Sequence, residues 1–316
     1  MSLAGPLGAI AIGYSSPGSG TFGDPDSSTY TVSSNTIADG VNLSGVVEIS
    51  SPVGTCTGEL LSDDVSILTA AHCLLPQDSS TGVLPSSVQV YFNYPGCTGY
   101  PGCGVGAYNV PTSNMFLDPT WIADGENLAE GNDLAVLQLT APAPAFATGY
   151  TLFTGDSIDL STPVEVVGVG DSGLGQIDDA DYPYGPYVRQ GESNYVGTCA
   201  SNHVLGSDCM DANNLIAQFS ASSQLSNQVE IAPGDSGGPT FYDGQIIGVH
   251  EFTDCALSNC PINNPGSYWG DTYVGGTNAA WIESVEASVP EPATFLLMAI
   301  GFGGLFFIRR RAKFGS

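Results

Sequence analysis

The sequence predicts an all-β protein on the strength of three observations. The 316-residue chain carries 41 Gly and 21 Pro, the residues that separate short strands by frequent turns. Ser, Thr, Val and Tyr are abundant, and Val, Thr and Tyr suit a pleated, half-buried backbone. Long runs of Ala, Glu, Lys and Leu at helical spacing are missing. A chain of this length has room for one large all-β domain or two smaller ones, with ample core either way.

Charge narrows the function classes. There are 32 acidic residues against 5 basic ones, and four of the five, Arg309, Arg310, Arg311 and Lys313, fall in the last eight positions. Ahead of Pro290 stand 31 acids and Arg189 alone, a net charge of about 30 negative. Such a surface repels nucleic acid and anionic membranes, which excludes a DNA-binding role. Solubility in a salty or extracellular medium is the simplest reading of it. Calcium binding is a weaker one, because acidic stretches such as QIDDADYP, residues 176–183, lack a recognisable loop motif. No cofactor or metal is implied.

The eight cysteines are Cys56, Cys73, Cys97, Cys103, Cys199, Cys209, Cys255 and Cys260. Metal sites prefer CxxC spacing with histidines nearby, whereas these gaps are wider and the chain has three histidines. Disulfides are the better reading and imply an oxidising compartment. Pairing in sequence order, 56/73, 97/103, 199/209 and 255/260, is the simplest connectivity, though spacing alone leaves others open.

The N-terminal stretch MSLAGPLGAIAIGYSSPGSG is mildly apolar but has no Lys or Arg before it, so it lacks the charged start of a secretory signal. A truncated or replaced signal peptide is expected. Residues 14–36 are rich in Ser, Gly, Thr and Pro, and 1–36 is expected to be a flexible leader or pro-segment. In ILTAAHC, Ile67 to Cys73, an apolar run leads straight into His72, at a strand end or in a short helical turn after it. Cys73 can fix that backbone through Cys56. In GNDLAVLQL, Gly131 to Leu139, Asp133 immediately precedes an apolar strand of alternating pattern. In GDSGGP, Gly234 to Pro239, glycines let the chain turn tightly and leave the Ser236 hydroxyl and nearby amides accessible. A serine hydroxyl is a poor nucleophile near neutral pH: an imidazole must take its proton, and a carboxylate must hold that imidazole in the right tautomer. His72, Asp133 and Ser236 supply these groups in that order.

LTAAHC, NDLAVLQL and GDSGGP together resemble the three signature segments of the trypsin/chymotrypsin family of serine proteases. The resemblance covers about Gly40 to Val285. It implies two six-stranded antiparallel β-barrels with a short C-terminal helix, in a domain set here at 37–288. It implies His72 as general base and then acid, Asp133 as its orienter and Ser236 as nucleophile. The N–H groups of Gly234 and Ser236 would form the oxyanion hole, where losing one donor commonly costs about 3 kcal/mol. Asp235 would pair with a new N-terminus made on activation. Ile37 and Val41 are candidates for that first residue, although neither follows a Lys or Arg. VEVVGVGDSG, Val164 to Gly173, resembles the strand opening the second barrel. NAAWIESVEAS, Asn278 to Ser288, resembles the family's terminal helix, with Trp281, Ile282 and Val285 as its core stripe.

The chain departs from the family in two places. Ala232 stands where a pocket-bracing cysteine is usual, and the stretch from His72 to Asp133 is long and contains YPGCTGYPGC, residues 94–103, expected as a disulfide-closed surface loop. Two residues bear on specificity and point in opposite directions. Glu230 occupies the position where trypsins place the acid that binds Lys or Arg. His250, in IIGVHEF, resembles the pocket histidine of glutamyl endopeptidases, which binds an acidic side chain. The scarcity of Lys and Arg would shield a Lys/Arg-specific enzyme from self-digestion, and the negative surface repels acidic substrates, so basic or neutral substrates are favoured. His203, between Cys199 and Cys209, is expected in a loop.

The C-terminus reads SVPEPATFLLMAIGFGGLFFIRRRAKFGS. Its uncharged run 294–308 is fifteen residues long, short against the roughly 20 of a comfortable membrane helix. The arginines that follow would hold that end on the cytoplasmic side. This order of Pro-Glu-Pro, apolar segment and arginines resembles the PEP-CTERM sorting signal of Gram-negative bacteria. It makes 289–316 an address with an apolar tail helix, implies processing by an exosortase-type membrane enzyme, and implies transient anchoring in the inner membrane on the way to the periplasm, cell surface or medium. The sequence therefore reads as an exported serine endopeptidase acting on proteins or peptides. The alternative is a catalytically inactive relative that keeps the barrels as a binding scaffold.

Overall fold

The computed structural model describes residues 10–12, 31–32, 37–38, 41–75, 83–92, 107–123, 128–155, 157–170, 172–173, 188–202, 213–220, 225, 227–231, 234–253 and 267–288. The first barrel is built from β1 (Val46–Ser51), β2 (Gly54–Leu60), β3 (Ser66–Thr69), β4 (Ser87–Phe92), β5 (Ala107–Pro111), β6 (Met115–Leu117) and β7 (Ala135–Gln138). Its antiparallel order is β6-β7-β3-β2-β1-β4-β5. The two end strands are halves of one stretch, separated only by the 3₁₀ turn Thr112–Asn114. One half pairs with β7 and the other with β4, so the sheet closes on itself as six strands. Alternation drives the packing: in β4, SVQVYF, the residues Val88, Val90 and Phe92 point inward and are buried while their neighbours are partly exposed.

The second barrel comprises β8 (Val164–Gly168), β9 (Val188–Ser193), β10 (Tyr195–Thr198), β11 (Asn214–Gln218), β12 (Pro239–Tyr242), β13 (Gln245–Thr253) and β14 (Tyr268–Tyr273). The order β10-β11-β14-β13-β12-β8-β9 closes in the same way, because only Asn194 separates β9 from β10. Trp269 is fully buried in this core. The result is the predicted all-β fold of two six-stranded antiparallel barrels.

The helix Thr277–Glu286 returns from the second barrel to the first. Its buried Ile282 and Val285 join the first barrel's core cluster with Trp281 packed beside them, and Gln138 Nε2 donates to the Val285 carbonyl at 3.1 Å. That apolar stripe was legible at helical spacing. Cys56 and Cys73 form the expected disulfide, and Cys199 is also disulfide-bonded. The remaining cysteines, His203, Ala232, the loop at 94–103 and the tail helix at 294–308 lie outside the described residues. Among the described residues no helix is long and apolar enough to cross a membrane.

Two pieces of the expected leader differ from a free segment. Ile10–Ile12 pairs with Ser172–Gly173 on one side and Val229–Glu230 on the other, and Thr31–Val32 adds to the outer edge of β9. Short apolar or β-branched stretches satisfy their backbone groups on available strand edges. Ile37–Ala38, by contrast, pairs with Val41–Asn42, and Val41 is buried.

Candidate active site

The strand β3 is buried at every position and feeds the 3₁₀ turn Ala71–Cys73 that carries His72. The Cys56–Cys73 disulfide ties this turn to β2. Pairing of Ala135 with Thr69 across β7 and β3 sets Asp133, two residues before Ala135, alongside the turn two residues beyond Thr69. Asp133 is fully buried. Its Oδ1 accepts the His72 backbone N–H at 2.8 Å, and its Oδ2 pairs with His72 Nδ1. One carboxylate thus fixes both the backbone and the ring of one histidine. Burial lowers the proton affinity of the imidazole, and the charge and hydrogen bond of Asp133 more than offset it, so the His72 pKa lies above its ordinary 6.5. The donor atoms of Cys56, His72 and Cys73 cluster within 4.8 Å, but sulfurs bonded to each other offer no thiolate to a metal.

Two asparagines hold the Asp133 loop, and no sequence motif announced either. Asn278, at the start of the terminal helix, donates to the carbonyls of Gly131 at 3.1 Å and Tyr273 at 2.7 Å. Asn214 on β11 donates to the Leu128 carbonyl at 3.0 Å. Gly131 has φ +63 and lies so close to these side chains that an added Cβ would come within 2.6 Å of Asn214 Oδ1.

The Ser236 turn comes from the second barrel and lies against the first. Thr57, next to Cys56, makes the join: its N–H donates to the Ser236 carbonyl at 2.9 Å and its hydroxyl to the Gly234 carbonyl at 2.8 Å. That hydroxyl also accepts the Val169 N–H at 3.1 Å, while Thr69 donates to the Thr57 carbonyl at 2.8 Å. Gly237, at φ +81, fits only without a side chain, because its Cβ would lie 2.1 Å from Thr69 Oγ1. Cys73 Sγ lies 3.5 Å from the Ser236 carbonyl, so the serine turn and the His72 turn touch. Ser236 itself is partly exposed. Among the described residues no hydrogen bond joins its hydroxyl to His72. Asp235 is fully buried and its Oδ1 accepts the Gly170 N–H at 3.0 Å.

The trypsin family model matches residues 38–269. The chain belongs to the trypsin family. A PEP-CTERM protein-sorting motif matches residues 288–311, so this trypsin-family domain belongs to an exported protein. Among curated proteins none matches the chain.

Within this trypsin-family frame the two residues expected at the substrate pocket are both enclosed by the second barrel. Glu230 is fully buried, and its Oε2 accepts the Ser267 hydroxyl at 2.6 Å. His250 is fully buried too, with Nδ1 at 2.9 Å from Asp271 Oδ1 and Nε2 at 3.1 Å from the Val167 carbonyl. Asp271 also accepts hydrogen bonds from Thr240, at 2.6 Å, and from Tyr195. The His250 ring stands edge-on to Trp269, and its backbone exchanges hydrogen bonds with Gly237 and Gly238 at 2.8 and 2.9 Å. Both ring nitrogens of His250 are therefore committed inside the protein.

Because the folded pKa of His72 is raised, the stabilisation from its pair with Asp133 is fully present below pH 6.5 and is lost as pH rises through the folded value. Imidazole NMR titration is expected to give His72 a midpoint above 6.5 that falls in Asp133→Asn. A wild-type midpoint at or below 6.5 contradicts the geometry.

Proposed function

We propose that the chain is an exported serine endopeptidase and that His72, Asp133 and Ser236 carry its chemistry. The observation that carries this reading is the grip of buried Asp133 on both the ring and the backbone of His72, beside a serine turn fastened to the same strands. Nδ1 faces the carboxylate, which leaves Nε2 as the nitrogen that receives a proton. In the scheme established for trypsin-like enzymes, the Ser236 hydroxyl attacks the substrate carbonyl while its proton passes to His72 Nε2. The Gly234 and Ser236 N–H groups stabilise the resulting oxyanion. Collapse breaks the peptide bond, with His72 protonating the leaving amine, and water then hydrolyses the acyl-enzyme by the same steps in reverse.

Commitment of both His250 nitrogens within the protein leaves no donor there for an acidic side chain, which favours basic or neutral side chains ahead of the cut bond. The tail would be handled by an exosortase-type enzyme, with transient attachment to the membrane. The two barrels would extend over 37–288, with the paired stretches Ile10–Ile12 and Thr31–Val32 ahead of them and the tail at 289–316. For Asp235 the pairing of Ile10–Ile12 with the strands around Ser172 and Glu230 favours Ile10, and not Ile37 or Val41, as the first residue of the active form. Ile10 is the register partner of Ser172, two residues beyond Gly170, whose amide already binds Asp235. N-terminal sequencing of active protein is expected to start at Ile10; a start at Ile37 or Val41 overturns that assignment.

Ser236→Ala or His72→Ala should lower kcat/KM on a peptide substrate by roughly four to six orders of magnitude with the fold intact. The wild-type rate should rise as pH increases through the raised His72 value, since only the neutral imidazole accepts a proton. Wild-type rates in either variant would show that the barrels serve another purpose, such as a binding scaffold.

A further inference from the structure

Arg189 is the only Lys or Arg ahead of residue 309, and its side chain is buried, with the residue 1% exposed. A cation kept for solubility belongs on the surface. Removing a guanidinium from water is costly, so among the 31 acids ahead of Pro290 this cation has a local task. Its neighbours show what that task is. Arg189 on β9 is the register partner of Gly168 on β8, and Gly168 begins a bend that runs to Gly170. Arg189 Nη1 donates to the Gly170 carbonyl at 3.3 Å. The Gly170 N–H donates to Asp235 Oδ1 at 3.0 Å. A Cβ on Gly168 would lie 1.9 Å from that same oxygen, so the carboxylate packs directly on the bend. Between the two glycines, Val169 donates its N–H to the Thr57 hydroxyl, which in turn holds the Gly234 carbonyl.

We propose that Arg189 is a positioning residue for the Ser236 turn: by holding the Gly170 carbonyl while Asp235 holds the amide of the same residue, it fixes where the amides of Gly234 and Ser236 point. The bend is gripped by one buried cation and one buried anion, and it touches the serine turn at Asp235, between the two oxyanion-hole amides, and through the Thr57 hydroxyl at the Gly234 carbonyl. If the cation is removed, the Gly170 carbonyl loses this donor while its amide remains on Asp235. Lysine at this position places a point charge without the planar fork of arginine, so it replaces the function only in part. This inference rests on the protease reading for its kinetic consequence, but not for its structural one.

The test compares wild type, Arg189→Lys, Arg189→Met, Asp235→Asn and the double variant Arg189→Met/Asp235→Asn in the full matured protein. Hydrogen exchange is read at the Gly237 and Gly238 amides, which are bonded to His250 and Asp235, and at Val88 and Val90 in β4 as a distant reference. Peptide hydrolysis is read as kcat and KM. Exchange at Gly237 and Gly238 should quicken in both Arg189 variants while β4 is unchanged. On the kinetic side, kcat should fall about tenfold or more in Arg189→Met and less in Arg189→Lys, with KM nearly constant. In the Asp235→Asn background the Arg189→Met change should cost little further, since residues acting through one bend are not additive. Unchanged exchange in Arg189→Lys, equal quickening at β4, or multiplicative effects in the double variant would each overturn the proposal. If Arg189→Met fails to fold, the Arg189→Lys comparison decides alone. An inactive but folded wild type would refute the protease reading, while exchange still judges the clamp.

Discussion

Everything at the candidate site depends on one buried carboxylate giving both its oxygens to one histidine. Asp133 binds the His72 backbone through Oδ1 and the ring through Oδ2. The backbone bond sets where the turn sits, and the ring bond sets which nitrogen faces outward. Neither would hold if the loop before β7 could drift. That loop is pinned from the second barrel by Asn214 and from the terminal helix by Asn278. The return of the helix to the first barrel is therefore part of the site's construction as well as of its packing.

The seam between the barrels is mostly backbone geometry, with one side chain at its centre. Thr57 satisfies three polar groups of the second barrel, and the glycines at 234 and 237 let the serine turn approach that closely. The acidic composition creates a second problem, because many carboxylates are buried. The fold solves it differently at each one. Asp271 is surrounded by donors from Thr240, Tyr195 and His250. Burial, reinforced by the charge of Asp271, pushes Glu59 well above the usual carboxylate range, in the direction of the neutral form, where its oxygens meet no donor. Arg189 meets the same problem with a fixed positive charge beside Asp235's bend.

The fold class was legible because it is imposed locally, and the three side chains proposed to react were singled out for the same reason. Turn residues and short β-rich runs mark an all-β chain, and His72, Asp133 and Ser236 stand in segments whose neighbours serve the same chemistry. Closure of the barrels was legible only through family resemblance, since nothing in the spacing shows that 107–117 or 188–198 belongs to both ends of a sheet. Thr57, Asn214 and Asn278 left no signal because threonine and asparagine are ordinary in strands, turns and helix starts. Arg189 stood out by its rarity, yet its burial was invisible. The pocket reading of His250 did not foresee Asp271 and the Val167 carbonyl, partners brought to its ring by other strands. Ile37 and Val41 were candidates for a new first residue although neither follows a Lys or Arg, and the pairing of Ile10–Ile12 with Val229–Glu230 left no signal in the sequence.

The central claim is that the Asp133–His72 pair activates the hydroxyl of Ser236. Mass-spectrometric mapping of a fluorophosphonate adduct on the matured protein tests it most directly. A single adduct is predicted on Ser236, lost in folded His72→Ala as well as in Ser236→Ala. An unlabelled wild type, or an adduct on a different serine, would contradict it.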